Sequence, residues 1–390
     1  MSSSGQQSPR FRALDGWRGI CALLVAAHHI EVHGWIYWQP LVRNAWLFVD
    51  FFFVLSGFVI AHAYGGKLAD ARGVRDFAAR RLGRRYPLHV VVLAALVALE
   101  LAHLALSHVH PLAGEQAAFV RDRAPFTILT NLFLVQAFGL HDFETWNGPA
   151  WSISCEFYTY LIFAAVCFVL PGRKPRIVAS ALLAIAGAVI LARFSGYGMR
   201  ETFHWAIFRC LYGFFAGVLV YEVWRSGIAR ALGGTLAEVA ALALVAVFIV
   251  VAPGNRALEY LATPLFGLAV LVFAADKGLI SRLLTLRPTA ALGRWSYSIY
   301  MVHTFILASL FSFMHVAESW FHATWLIHLA NGAAVRDLGS AFANDALTLV
   351  FLCAVVALSS LTWRWIERPG QSLFDRFASP KRPVLAAQTG

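Results

Sequence analysis

The sequence predicts an all-α, polytopic membrane protein with about ten transmembrane helices, and three observations carry that prediction. Of its 390 residues, 59% are hydrophobic and only 14% are charged, whereas a soluble domain carries about 25% charged residues. Apolar runs recur from end to end, and a span needs about 20 such residues to cross a hydrocarbon core of about 30 Å. Lysine and arginine, finally, are distributed unevenly between alternate loops.

The runs give ten candidate spans: 16–33, 44–64, 86–107, 150–170, 177–193, 203–224, 235–252, 257–275, 289–313 and 344–365. An eleventh stretch, FTILTNLFLVQAFGL at 126–140, is short, and if it crossed, the basic GRKPR loop after Leu170 would fall outside. A re-entrant or interfacial segment is expected there. The division that follows is an N-terminal tail over 1–14, a transmembrane domain over 15–366 and a C-terminal tail over 367–390. The N-terminus lacks the basic, apolar and small-residue order of a signal peptide, so the first apolar segment is expected to remain in the mature protein.

With both termini placed in the cytoplasm, 24 of the 32 Lys and Arg residues fall inside and seven outside, with Arg209 within a span. The positive-inside rule favours this orientation. The same bias absorbs most of the net charge of +11 without invoking nucleic acid. The five cysteines lie in apolar segments with no CxxC pair, which reads as small core residues rather than disulfides or a metal site.

Several polar groups sit where a membrane helix tolerates them poorly. The first span begins near Asp15 to Arg18, and Arg18 and His29 are 11 residues apart. That is three helical turns plus about 20°, so both side chains point the same way, with His29 roughly 16 Å deeper. Ionisable groups inside a span usually mark function; the alternative is a snorkelling Arg18 and a core His29. A neutral imidazole at His29 could act as general base or nucleophile, while His28 points about 100° away and reads as structural.

Asp50 opens the second span, as a partner for chemistry or a marker of the interface, and Ser56-Gly57 interrupts it. In RDFAARRLGRRYPL, Arg80, Arg81, Arg84 and Arg85 crowd six positions, more than topology alone requires. Arginine forks bind phosphates bidentately, which points to a phosphate-bearing cytosolic ligand. WNGPAWSISCEFYTYL places Ser152 and Glu156 on one helix face just after Trp151. Glu156 needs a partner inside the hydrocarbon layer, Arg209 or a histidine, and serves either structure or catalysis. Ser296, Tyr300 and His303 share a face at offsets of four and three.

Taken in order, these blocks resemble the acyltransferase-3 family of integral membrane O-acyltransferases. The resemblance rests on RALDGWRGICALLVAAHH, FVDFFFVLSGFVIA, RRLGRRYPL, NGPAWSISCEFYTY, GRWSYSIYMVH and IERP, six ordered blocks over nearly the whole chain. It implies a domain of about ten helices that moves an acyl group, commonly acetyl, from cytosolic acyl-CoA to a hydroxyl of a glycan or other acceptor. Arg18 and His29 match the family's Arg-x10-His motif, making His29 the expected catalytic histidine with Arg18 and Glu156 beside it. Arg81 and Arg84 match its Arg-x-x-Arg element, expected with Arg80 and Arg85 to hold acyl-CoA or acetyl-CoA as co-substrate. Asp15, Asp50, Ser56, Trp151, Ser152, Tyr300 and His303 are expected to bind substrate or support the site, with no metal.

The resemblance further implies a bacterial inner (plasma) membrane location and a role in surface-polysaccharide O-acetylation beside glycan-assembly proteins. A secondary metabolite such as a macrolide is the alternative acceptor. The rival function is a transporter or flippase using intramembrane His, Arg and Glu, but no matching halves are visible in the sequence.

Overall fold

The computed structural model describes residues 11–109, 117–227, 232–329 and 334–378. Residues 1–10 of the expected N-terminal tail and 379–390 of the C-terminal tail lie outside that set. The chain runs through α1 (Arg12–His28), two short turns α2 (Trp35–Trp38) and α3 (Pro40–Arg43), α4 (Phe48–Tyr64) and α5 (Ala71–Val109). It continues through α6 (Pro125–Leu132), α7 (Trp151–Val169), α8 (Arg173–Phe194), α9 (Ala206–Arg225) and α10 (Thr235–Val251). The last part comprises α11 (Arg256–Glu259), α12 (Ala262–Phe273), α13 (Leu279–Leu284), α14 (Arg287–Phe321), α15 (Ala341–Thr362) and α16 (Arg368–Ala378). One hairpin, β1 (Leu326–His328) against β2 (Ala334–Arg336), pairs Ile327 with Val335.

All ten apolar segments fold as helices, and eight helical runs among the described residues are long and apolar enough to cross a membrane. The other two, α1 and α10, have 17 residues each. At 1.5 Å per residue they are about 26 Å long, short of a hydrocarbon core of about 30 Å. Within 126–140, α6 covers only eight residues before the chain breaks into turns, far too few to cross.

Apolar residues face outward as well as inward. On α8, Val178, Leu182, Ile185 and Val189 form an exposed stripe at helical spacing, which a soluble monomer seldom leaves uncovered. The chain is therefore a multi-pass membrane protein, with lipid covering that stripe. Four cysteines are buried, but Cys353 is exposed on α15, a correction to its reading as a core residue. An apolar segment has an outward face too, and composition does not say which residues occupy it.

Two close helix contacts organise the bundle. Along α4 and α9, a side chain at Gly57 would run into the Phe214 carbonyl and one at Gly217 into that of Val54. Along α1 and α14, a Cβ on Gly19 would lie 2.5 Å from the Gly293 nitrogen, and one on Gly293 2.4 Å from the Asp15 carbonyl. Small residues let membrane helices approach backbone to backbone. The amphipathic α16 lies along α5, with the Phe374 side chain filling the space that the missing Cβ of Gly83 leaves.

One face of the bundle, the termini face, carries the first and last described residues, Phe11 and Ala378. There the Arg12 backbone N–H donates to Asp276 at 3.0 Å and Arg80 approaches Asp375 at 4.0 Å. On the opposite face the hairpin closes over the end of α1. Arg336 N–H donates to the Glu31 carbonyl (3.0 Å) and His33 N–H to the Arg336 carbonyl (2.8 Å). Asp337 accepts from the Asn344 side chain and the Gly339 N–H, both at 2.9 Å, and these bonds hold its carboxyl below the usual carboxylate range. The backbone just after His29 is thereby pinned.

A Gly19→Leu substitution should force α1 off α14 at an overpacking cost of about 1–3 kcal/mol or more. The thermal unfolding midpoint in detergent should fall, whereas Gly66→Ala, with no atom within 4 Å of the added Cβ, should leave it unchanged. Equal midpoints for the two variants would contradict the contact.

Candidate active site

Arg18 leaves α1 toward α14. Its Nε donates to Ser296 Oγ at 2.7 Å and its Nη2 to the Gly293 carbonyl at 2.8 Å, with Asp15 Oδ1 3.3 Å away. Three helical turns further on, the His29 ring lies against His303 of the same α14, centroids 4.9 Å apart. The third member of that face, Tyr300, meets Ser152 of α7 at 2.8 Å. The face shared by Ser296, Tyr300 and His303 thus meets Arg18, Ser152 and His29 in turn.

Arg18, Ser152, Ser296, Tyr300 and His29 line two cavities, with His303 packed behind His29 and on neither wall. The first, about 880 Å³ including its mouth, opens on the termini face between α1, α4, α5, α7 and α14. Arg18, Arg81, Arg84, Arg85 and Arg294 are on its walls with Glu156 and Glu367, and its deeper part is apolar, with Val49, Phe52, Phe53 and Ile153. The second, about 1050 Å³, opens on the opposite face and holds His28, His29, Glu144, Arg43, Arg200 and Trp151 on its walls.

In the first cavity Glu156 is the most heavily bonded group. Both Nη atoms of Arg85 donate to its carboxylate, the Nη2 bond to Oε1 measuring 2.8 Å. Ser56 Oγ donates to Oε1 at 2.5 Å and the Tyr160 hydroxyl donates to the same oxygen. The sequence expectation of Arg209 or a histidine as partner is corrected: Arg209 grips Asp50 instead, with bonds of 2.9 and 2.8 Å. That pair is 2% and 0% exposed, and the Arg209 guanidinium lies over the Trp151 ring at 5.2 Å. Pairing of this kind offsets the several kcal/mol that burial costs each ion.

The four clustered arginines separate by role. Arg85 is committed to Glu156 and Tyr160, so its fork is not available to a phosphate as the sequence suggested. Arg81 donates to the Tyr64 hydroxyl at 3.0 Å and stacks on its ring, with its Nε buried and unpartnered. Arg84 lines the cavity with no hydrogen bond or ion pair among the described residues. Arg80 lies outside this cavity, in a shallower cleft with Tyr64, Arg81, Gln371 and Asp375. Arg81 and Arg84, joined by Arg294, are the groups left to meet an anion.

Two imidazoles, His28 and His29, line the second cavity. His29 Nδ1 is 2.7 Å from the Val25 carbonyl. A carbonyl only accepts, so Nδ1 bears the hydrogen and Nε2 of the neutral ring keeps its lone pair. His303 is arranged alike, with Nδ1 3.2 Å from the Ile299 carbonyl and a buried, unpartnered Nε2. His28, read from spacing as turned away, lines the same cavity as His29. The helix ends at His28, and beyond that point the 100° increment no longer sets ring directions.

Several cavity residues escaped the sequence reading: Arg294, Tyr297, Glu367, Glu144 and Arg200. Tyr160 could have been found, since it lies one turn after Glu156. Glu367, present in the IERP block, could not be placed in the cavity from spacing, because it turns inward on a π-helical turn, Trp363–Glu367, between α15 and α16, where Ser298 Oγ donates to it at 2.9 Å. Such turns are frequent at functional sites.

A membrane-embedded helical protein with a basic cleft at one face and an imidazole-lined cleft at the other is a fitting scaffold for transfer between two substrates. The profile of the acyltransferase-3 family, described as an acyltransferase domain, matches residues 11–364. The chain belongs to that family and is an acyltransferase. It is 26% identical to "Acyltransferase MdmB" of Streptomyces mycarofaciens over 97% of this chain and 95% of that protein. It is also 35% identical to "Protein 2 in picA locus" of Rhizobium radiobacter over 168 residues, which is 40% of this chain and 84% of that protein. No solved structure matches.

Replacing Glu156 by Ala leaves Arg85 uncompensated, and breaking a buried pair this way costs about 3–5 kcal/mol. The unfolding midpoint in detergent should drop markedly, and adding Arg85→Met should restore most of it. A Glu156→Ala protein as stable as the parent would mean the pair is solvated.

Proposed function

We propose that the protein transfers an acetyl or other small acyl group from cytosolic acyl-CoA to a hydroxyl of a surface glycan. The observation that supports this reading is the pair of opposed cavities. In it, the phosphates of the donor rest on Arg81 and Arg84 at the termini face, which the charge bias of the loops assigns to the cytosol. The pantetheine arm enters the apolar depth of the first cavity. The acceptor enters the second, whose walls carry Tyr37, Trp46 and Trp151 among Arg43, Arg200 and Glu144, with Arg200 over the Trp46 ring at 4.6 Å. Flat aromatic surfaces interspersed with charged forks suit a polyhydroxylated sugar better than a largely apolar acceptor.

His29 Nε2 takes the acceptor's hydroxyl proton as the oxygen attacks the thioester carbonyl. The carbon–sulfur bond then breaks, and the sulfur leaves with a proton as free CoA. Asp15 and Ser296 orient Arg18, whose guanidinium lies where the donor passes from the basic mouth to the apolar interior. In this reading the reaction takes place in the bacterial inner membrane, with both termini cytoplasmic, as the charge bias of the loops favours.

Mass spectrometry of surface glycans from cells with and without the protein tests the reading: an acetyl-sized increment should depend on it. His29→Gln should lower transfer by about 10²–10⁴-fold, the range of general-base contributions, with membrane insertion and melting unchanged. Near-normal turnover in that variant would remove His29 from the chemistry.

Arg84→Gln should act on donor affinity. Hydrogen bonds to charged groups are worth about 1.5–3 kcal/mol, so the KM for acyl-CoA should rise about tenfold or more. A fall in kcat at constant KM would assign Arg84 another task. In sealed vesicles of known orientation, impermeant acyl-CoA should support transfer only from the cytosolic face.

A further inference from the structure

We propose that Tyr300 is the barrier that keeps the donor and acceptor cavities from joining into one wet path through the bundle until an acceptor hydroxyl, entering beside His29, displaces its ring. The proposal rests on the two-cavity reading above.

The two cavities share two wall residues, Val49 and Tyr300. The first turn of α7 marks the same divide: Pro149 and Trp151 line the second cavity, while Ser152 and Ile153 line the first. Tyr300 sits between them, 6% exposed. Its hydroxyl donates to the Pro149 carbonyl at 3.0 Å and meets Ser152 Oγ at 2.8 Å, and Ser152 Oγ is itself 3.0 Å from that carbonyl. Three oxygens in mutual contact fix the tip of the ring. Its faces and edges are fixed too, by Phe52 (centroids 6.0 Å, 84°) on the donor side and His303 (6.0 Å, 65°) on the His29 side.

The volumes say why such a barrier is needed. Each cavity has room for water. If the two were joined, water would reach the thioester from the acceptor side, forming a carbon–oxygen bond as the carbon–sulfur bond breaks. It would yield free acid and CoA with no acceptor modified. A continuous water column would also conduct protons. A phenol suits this place because its ring excludes water while its hydroxyl is satisfied within the wall.

The test is thiol accessibility in sealed vesicles of known orientation. A reporter thiol is placed on the donor-side wall as Val59→Cys, in a Cys353→Ser background that removes the exposed native cysteine. A membrane-impermeant methanethiosulfonate is then added to one side at a time. With Tyr300 intact, the reporter should react from the termini face and not from the opposite face. With Tyr300→Ala it should react from both, and with Tyr300→Phe, which keeps the ring, again only from the termini face.

Labelling from the termini face reports that each variant is folded. Should Tyr300→Ala fail that check, Tyr300→Leu, which cannot reach Pro149, takes its place and should admit the reagent from the opposite face. Opposite-face labelling with Tyr300 intact would overturn the proposal. So would a folded Tyr300→Ala or Tyr300→Leu protein that still excludes the reagent. Labelling requires no acyl-CoA, so it is independent of whether the protein transfers acyl groups. Acetyl-CoA turnover in the same vesicles reports on that reading separately.

Discussion

Helices α1 and α14 touch backbone to backbone at Gly19 and Gly293, and the site depends on that contact. With no side chain between the axes, Arg18 reaches both Ser296 and the Gly293 carbonyl. The same register brings His29 against His303. A single ångström of separation would lengthen these bonds and open a gap beside Tyr300, which the same α14 face carries toward α7. Because α1 is only 17 residues long, its ends are fixed from outside: Asp276 accepts from the N-terminal amides, and the β hairpin holds the backbone after His29.

A second constraint is the expense of bare charge in a low-dielectric interior. The bundle meets it by pairing. Asp50 and Arg209 are sealed together, and Arg85 is matched to Glu156 with Tyr160 and Ser56 completing the shell. Arg84 departs from the pattern, half-buried with neither hydrogen bond nor ion pair among the described residues. Its guanidinium faces the first cavity, where Glu367 is the acidic group it influences most.

Much of this was legible in the sequence. Each apolar run became a helix, because hydrophobic length is a local property. The shared faces of Arg18 with His29, and of Ser296, Tyr300 and His303, followed from helical periodicity and reappear as contacts. What stayed hidden was which helix faces which. Glu156 called for a cation, but choosing Arg85 over Arg209 requires knowing that α7 lies beside α5 at that depth. His28 was misjudged because α1 ends beneath it, and helix ends are the least readable feature of a sequence. Cys353 was misplaced because an apolar segment does not announce which side meets lipid.

The contact between Arg18 and Ser296 joins residues 278 positions apart. During synthesis at about 5–20 residues per second, α1 is made roughly 14 to 56 seconds before its partner. For that interval its guanidinium has Asp15, one turn away, but neither the Ser296 hydroxyl nor the Gly293 carbonyl. Until α14 arrives, the first helix lacks the hydroxyl and carbonyl that complete the setting of its guanidinium. The order of assembly is then fixed: the first helix to emerge is among the last to be seated, and no shortened N-terminal fragment can form the site.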